Sequence, residues 1–297
     1  MRIAIIVLVL FVTSCQLIID VDVPYAGDRA VVNAVQQIDS VWMVDLSSTR
    51  YILDNQYGYL PISNAEVIIL KPDGTSETLV HKGNGMFRGT TRPQPGNTYK
   101  VSVTPHGFDA IEGEMRMPPL VSIVDVKWDS SRLEPNSTSQ GAADVPFTLT
   151  FTDPAGEVNY YDVNVYIFSI YTYNRYPDGV LVTDTFASYR PTYIRDPGIA
   201  LEDDQSEFSD KTFDGKTQTI PFIAELTTYG AQPYKVEVWL TTSSEELYKY
   251  NKTQRLQAEV QGDPFAQPVQ VYSNMSNGFG IFAGAASDKR EYKTPPK

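Results

Sequence analysis

The chain has 297 residues, 42% hydrophobic and 20% charged, and its 36 acidic against 24 basic side chains give a formal charge of −12. Acidity of this size excludes the basic footprint that nucleic-acid binding requires, so no nucleic-acid partner is expected. A single cysteine excludes both a disulfide framework and an all-cysteine zinc site, while 19 Tyr, 19 Gly and 20 Pro suit short strands joined by tight turns.

In chain order, Met1-Arg2 supplies a minimal positive start, and Ile3 to Val12 are ten consecutive apolar residues. A bilayer-spanning helix needs about 20, so the run reads as the apolar part of a secretory signal peptide. Val12-Thr13-Ser14-Cys15 resembles the bacterial lipobox, with an aliphatic residue, two small ones and a cysteine. The resemblance implies removal of residues 1–14 and lipid on both the thiol and the new N-terminus of Cys15. Two or more acyl chains anchor stably where one is marginal. Gln16 stands where an aspartate commonly retains lipoproteins at the inner membrane, which points to the outer membrane. Loss of Arg2 with the leader lowers the formal charge by one, to −13. Residues 15–28 form a lipidated tether.

At roughly 100–200 residues per domain, the remaining length suits two domains. Strand signals follow at Ala30 to Val35, Val41 to Leu46, Ala65 to Leu70, Thr78 to His81, Met86 to Gly89 and Thr98 to Val103. Lys71-Pro72-Asp73-Gly74 and Pro95-Gly96-Asn97 are turns between them. Ala65 to Leu70 reads as a fully buried strand and Thr98 to Val103 alternates strictly. The order resembles immunoglobulin-like and carboxypeptidase-regulatory-like modules through Asn64-Ala65-Glu66-Val67 and through Pro95-Gly96 ahead of Tyr99. Residues 29–117 are therefore expected to form an immunoglobulin-like β-sandwich.

Met115 to Pro119 reads as a stiff linker, and residues 118–297 as a second β-rich domain. Strand signals there are Val121 to Trp128, Phe147 to Phe151, Val158 to Tyr173 and Tyr234 to Leu240. Within the longest, Tyr161, Val163, Val165, Ile167, Ser169, Tyr171 and Tyr173 share the face expected to meet the core. Arg175 to Gln218 is less regular and reads as an inserted excursion. Ser243-Ser244-Glu245-Glu246 is a capping-box start for one short helix through about residue 256, with Ser243 as the cap. Gly280-Ile281-Phe282 is a final strand with Gly284 ending it. The expected fold is mainly β, two sandwich-like domains.

Candidate chemistry is sparse. His81 and His106 lack a nucleophile motif such as GxSxG, and no HExxH or paired CxxC is present, so no enzyme activity is expected. Glu202, Asp203 and Asp204, with Glu207, Asp210 and Asp214, place six acids within thirteen residues. Hard oxygen donors at that density suit calcium, although no DxDxDG loop occurs and acidic runs are more often solvated. No other metal or cofactor is expected beyond the lipid on Cys15. Tyr171, Tyr173, Tyr176, Tyr189 and Tyr193 surround the excursion and are candidates for contact with a ligand or partner, against the alternative of strand core and ordinary turns.

The most distinctive text is Asp263-Pro264-Phe265-Ala266-Gln267-Pro268, followed by Val271-Tyr272-Ser273-Asn274-Met275-Ser276-Asn277-Gly278-Phe279-Gly280-Ile281-Phe282-Ala283-Gly284. It resembles the C-terminal signature of a domain-of-unknown-function family of Bacteroidetes outer-membrane lipoproteins. Supporting matches include Ile18-Ile19-Asp20-Val21-Asp22-Val23-Pro24 after Cys15, Gly83-Asn84-Gly85-Met86-Phe87 and Phe213-Asp214-Gly215-Lys216. The family's genes stand beside those of TonB-dependent receptors. The resemblance implies an accessory of such a transporter in nutrient uptake, in contact with outer-membrane lipid through its anchor. Cell-surface display is favoured over the periplasmic face, although no acidic tract follows Cys15. The alternative is a structural or adhesive surface lipoprotein binding host or cell-surface components.

Overall fold

The computed structural model describes residues 27–51, 54, 58–129, 131, 142–195, 207–227, 231–263 and 265–293. The signal-peptide run, Cys15 and the tether up to residue 26 lie outside the described residues. The first half contains β1 (Ala30–Gln37), β2 (Met43–Ser48), β3 (Ala65–Leu70), β4 (Ser76–Thr78), β5 (Val80–Gly83), β6 (Met86–Arg88), β7 (Thr98–Pro105) and β8 (Ile111–Arg116). Then come β9 (Ile123–Trp128), β10 (Ala142–Thr152), β11 (Tyr160–Arg175), β12 (Val182–Thr192), β13 (Ile194–Arg195) and β14 (Glu207–Ser209). The chain continues with β15 (Thr217–Thr227), β16 (Ala231–Ser243), helix α1 (Glu245–Val260) and β17 (Phe279–Lys293).

The fold is mainly β. One nine-stranded sheet runs β12-β11-β16-β17-β1-β2-β6-β5, with β14 added on β11, and two four-stranded sheets run β13-β15-β10-β9 and β4-β3-β7-β8. Two apolar clusters form against the large sheet. One draws Val32, Trp42, Val44 and Phe87 together with Val67, Val101, Val103 and Met115. The other draws Tyr161, Val163, Val165 and Val238 together with Phe147, Leu149, Phe151 and Phe222. Aromatic rings fill both: Trp42 meets Tyr99 edge-on at 4.8 Å, and Phe147 stacks between Trp128 and Phe222 at 5.6 and 5.3 Å. Each large side chain taken out of water contributes roughly 1.5–3 kcal/mol.

Strand β17 joins the two regions. It runs parallel to β1 from Val31↔Phe279 to Gln37↔Ala285 and antiparallel to β16 from Ser243↔Ala285 to Lys235↔Lys293. Its Phe282 lies in the first cluster with Met275, both from the region expected to belong to the second unit, while Tyr292 packs on the other cluster. Ile281, Ala283 and Ala285, on the opposite face, meet Leu247 of α1. Small residues make the junction possible. A Cβ on Gly280, at φ +108°, would stand 1.9 Å from the Val32 carbonyl oxygen. On Gly284 it would stand 2.6 Å from Met117 Sδ. Gly284 therefore lies within a 15-residue strand rather than ending it.

Four other local expectations are corrected. The residues at Met115 to Pro119 are no simple linker: Met115 and Arg116 end β8, Met115 and Met117 are buried, and Arg116 forks onto Glu157. Ala65 to Leu70 buries only Val67 and Ile69, so it is half-buried. The start of the excursion is regular: β12 pairs with β11 in unbroken register from Val165↔Thr192 to Arg175↔Val182. Last, the helix cap is Ser244, not Ser243, which still belongs to β16. The Ser244 hydroxyl accepts the Leu247 N–H at 3.4 Å, and the helix continues to Val260.

Candidate functional site

The five candidate tyrosines fall on or beside the β11–β12 hairpin, but not in one group. Residues paired across the two strands share a face, which puts Tyr171 opposite Phe186 and Tyr173 opposite Asp184. Tyr171 stacks on Phe186 at 4.8 Å with rings 8° apart, and Tyr173 meets the same ring edge-on at 6.1 Å. Tyr176 precedes the tight turn Pro177–Gly179, where Asp178 and Gly179 take positive φ and reverse the chain. Tyr173, Tyr176, Val180, Leu181 and Phe186 are 48–66% exposed, so the end of the hairpin is an arm with an aromatic and aliphatic surface.

Tyr189 turns to the other face and serves a different purpose. It stacks on Tyr166 at 5.2 Å, and its hydroxyl donates to Glu237 Oε2 at 2.7 Å. Tyr193 lies past the end of β12, exposed, and the structure does not bring it to the others.

Glu237, absent from the sequence expectations, is the most fully partnered carboxylate of this face. It is 2% exposed and also accepts from Trp239 Nε1 at 3.0 Å, Lys289 Nζ at 3.1 Å and Lys235 Nζ at 2.8 Å. Burial alone pushes its carboxyl up, but hydrogen bonds from Lys235, Tyr189, Lys289 and Trp239 outweigh that and hold it at about 2. The signal was present in Lys235-Val236-Glu237-Val238-Trp239: a charge inside an apolar strand needs partners when buried.

Among the acidic candidates, Glu202, Asp203 and Asp204 lie outside the described residues. Glu207 is bound to the helix through Asn251 Nδ2 at 2.6 Å and Arg255 at 3.6 Å. Asp210 and Asp214 converge with Asp153, a residue the spacing did not single out, so that one oxygen of each lies within 4.8 Å of the others. Two turns bring them together. Asp153-Pro154-Ala155-Gly156 follows β10, and Asp210 to Gly215 follows β14, with positive φ at Gly156 and Gly215. Asp153 accepts from the Tyr161 hydroxyl and, at 2.8 Å, from the Gly215 N–H. Asp210 accepts from the Asn159 N–H and Asp214 from the Gly156 N–H, both at 2.8 Å.

Burial, reinforced by the charges of Asp153 and Asp214, raises the Asp210 carboxyl despite the bonds from Asn159. Burial and then Asp153 push the Tyr161 phenol up. Three clustered carboxylates are the donors a hard cation such as calcium takes, but calcium uses 6–8 oxygens, so backbone or water oxygens would have to complete the shell. What the contacts accomplish directly is to lock the β10–β11 turn to the loop before β15. Asp-Pro-x-Gly after a strand is the sequence signal that points to Asp153. His81 and His106 are exposed and apart from both clusters. Among the described residues no helix is long and apolar enough to cross a membrane.

The family model described as "Domain of unknown function (DUF4249)" matches residues 18–291. No curated protein matches the chain. Among solved structures, the C-terminal globular domain of an oligosaccharyltransferase from Pyrococcus abyssi aligns at 9% identity, TM-score 0.19, over 90% of this chain and 47% of its own. This chain thus spans about half of that one. The partial N-terminal region of an enterococcal surface protein aligns at 6% identity, TM-score 0.17, over 75% and 92%. At these TM-scores neither structure bears on the fold or chemistry of this chain.

Proposed function

We propose that this chain, which belongs to the Domain of unknown function (DUF4249) family, is a lipid-anchored outer-membrane protein that acts by binding, as the accessory of a TonB-dependent transporter in nutrient uptake. The observation that carries the binding role is the arm. Tyr173 and Phe186 stand about half exposed on a hairpin whose β11 strand is core as far as Ile167, and Tyr176, Val180 and Leu181 are exposed at the turn that follows. Aromatic side chains that offer area at small entropic cost are the usual anchors of protein interfaces. The membrane part of the reading is supported by the ten-residue apolar run and Cys15, and the choice of partner by the resemblance to Bacteroidetes outer-membrane lipoproteins.

Two measurements test it. Cys15→Ala moves the protein from the membrane to the soluble fraction if lipid anchors it; an unchanged membrane fraction refutes lipidation. Affinity capture of the full chain from membranes in mild detergent, read by mass spectrometry, recovers a TonB-dependent barrel. Capture without one refutes that partnership.

A further inference from the structure

The hairpin carries one cation whose neighbours differ from those of its fellows. Arg175 is paired with Asp184, and Arg195, just past the hairpin, with Asp144. Arg190 lies between them in sequence, is partly buried, and has no carboxylate partner among the described residues. Its Nη2 is buried and makes no hydrogen bond. In a chain with 36 acidic side chains this is no shortage of anions. A guanidinium presents five donors and is costly to bury without acceptors.

A second buried group is unmatched beside it. Ser169 is 1% exposed and its Oγ has no hydrogen-bond partner. Register places Arg190 opposite Ile167 and Ser188 opposite Ser169, so Arg190 and Ser169 share a face at diagonal positions of adjacent strands. Such positions are about 7–8 Å apart, within reach of an arginine side chain. The next pair along the same face is Tyr171 and Phe186, with their rings stacked, and Tyr173 follows. The row therefore offers, in order, a planar donor fork, a hydroxyl and an aromatic wall.

We propose that Arg190, with Ser169 beside it, is a receptor for a carboxylate borne on an apolar or aromatic body. The guanidinium takes both carboxylate oxygens, the hydroxyl donates to one of them, and the Tyr171–Phe186 wall takes the apolar part. Two sources supply that chemistry: a small free acid, or an acidic residue in a segment of the partner protein. Only the second rests on the binding role proposed above.

Isothermal titration of the full chain in mild detergent separates these outcomes. The probes are 3-phenylpropionate against 3-phenylpropionamide, and an acetylated, amidated pentapeptide with a central glutamate among valine and phenylalanine against its glutamine twin. The expected result is that at least one carboxylate probe binds about tenfold or more tighter than its amide. Arg190→Gln reduces that preference to within about twofold, and Ser169→Ala weakens it about threefold. Arg190→Lys, which keeps the charge but not the fork, retains part of it. Preference for phenylpropionate alone assigns a free acid; a peptide about tenfold tighter than phenylpropionate assigns a protein segment.

Equal binding of acid and amide, no binding of either carboxylate up to about 10 mM, or a preference that survives Arg190→Gln overturns the proposal. Circular dichroism and the melting midpoint show whether Arg190→Gln is folded, and Arg190→Lys decides the matter if it is not. No barrel is present in this titration, so its failure leaves the capture experiment standing, and the reverse.

Discussion

Along the inner row of β11, Tyr161, Val163, Val165 and Ile167 are each at most 4% exposed, whereas Tyr173, three row positions further on, is 48% exposed. The strand, its alternation and its pairing with β12 continue without interruption through that change as far as Arg175. What changes is the opposing layer. Phe147, Phe151 and Phe222 of the smaller sheet cluster with the first four residues, and the cluster takes nothing from β11 beyond Ile167. One face of one strand is thus apolar core as far as Ile167, still buried at Ser169, and a surface by Tyr173. Apolar alternation reports that a face is suited to burial, not that something covers it.

The first half is expected to break with the largest effect. Phe151 touches the rings of Tyr161, Phe208 and Phe213, so Phe151→Ala removes the centre of an aromatic cluster. The expected loss is about 3–5 kcal/mol, read as a lower urea midpoint at unchanged slope. A midpoint within experimental error of wild type would contradict the packing described. Next comes Tyr161→Phe, which keeps the ring and removes the donor to buried Asp153. About 1–3 kcal/mol should be lost, because a buried carboxylate is left short of a partner.

Acid titration sharpens the contrast between two carboxylate environments. Glu237 ionises at about 2 in the folded chain against an ordinary 4.5. Its contribution is complete above the ordinary value and disappears as pH falls from about 4.5 through about 2. Asp210 is shifted upward, so it has the opposite sign: the folded state takes up its proton more readily, and its ionisation detracts from stability at neutral pH. Glu237→Gln should therefore flatten the stability profile between pH 4.5 and 2, and a profile as steep as wild type would contradict the assignment.

The second half should break least. Tyr173→Ser and Phe186→Ser alter exposed rings and should move stability by about 0.5 kcal/mol each, since substitutions away from a core rarely do more. If either costs as much as Phe151→Ala, the arm is packed and the contrast fails.

Much of this molecule was legible in the sequence, and the exceptions share a cause. Strict alternation located β7 and the inner row of β11, because a period of two needs no knowledge of the rest of the chain. Partnerships across long separations were not legible. Gly284 reads locally as a stop, yet it lies inside β17, paired with Gln36 of β1, while Met115 and Met117, far back in the chain, crowd the place a Cβ would take. Asp153 joins Asp210 and Asp214 across some sixty residues, and Glu237 is satisfied by Tyr189 and Lys289 from two other strands. Spacing within a segment cannot show such meetings. Of the five candidate tyrosines, Tyr171, Tyr173 and Tyr176 lie on the arm, Tyr189 supports Glu237, and Tyr193 stands apart.

We propose that the exposed half of the hairpin is where this protein binds its partner. Quantitative affinity capture from membranes, comparing the full chain with the double variant Tyr173→Ser, Phe186→Ser, tests it most directly. Wild type is expected to recover a TonB-dependent barrel, and the variant, equally abundant and equally membrane-bound, about tenfold less or none. Equal recovery by the two proteins, or no barrel with wild type, would contradict it.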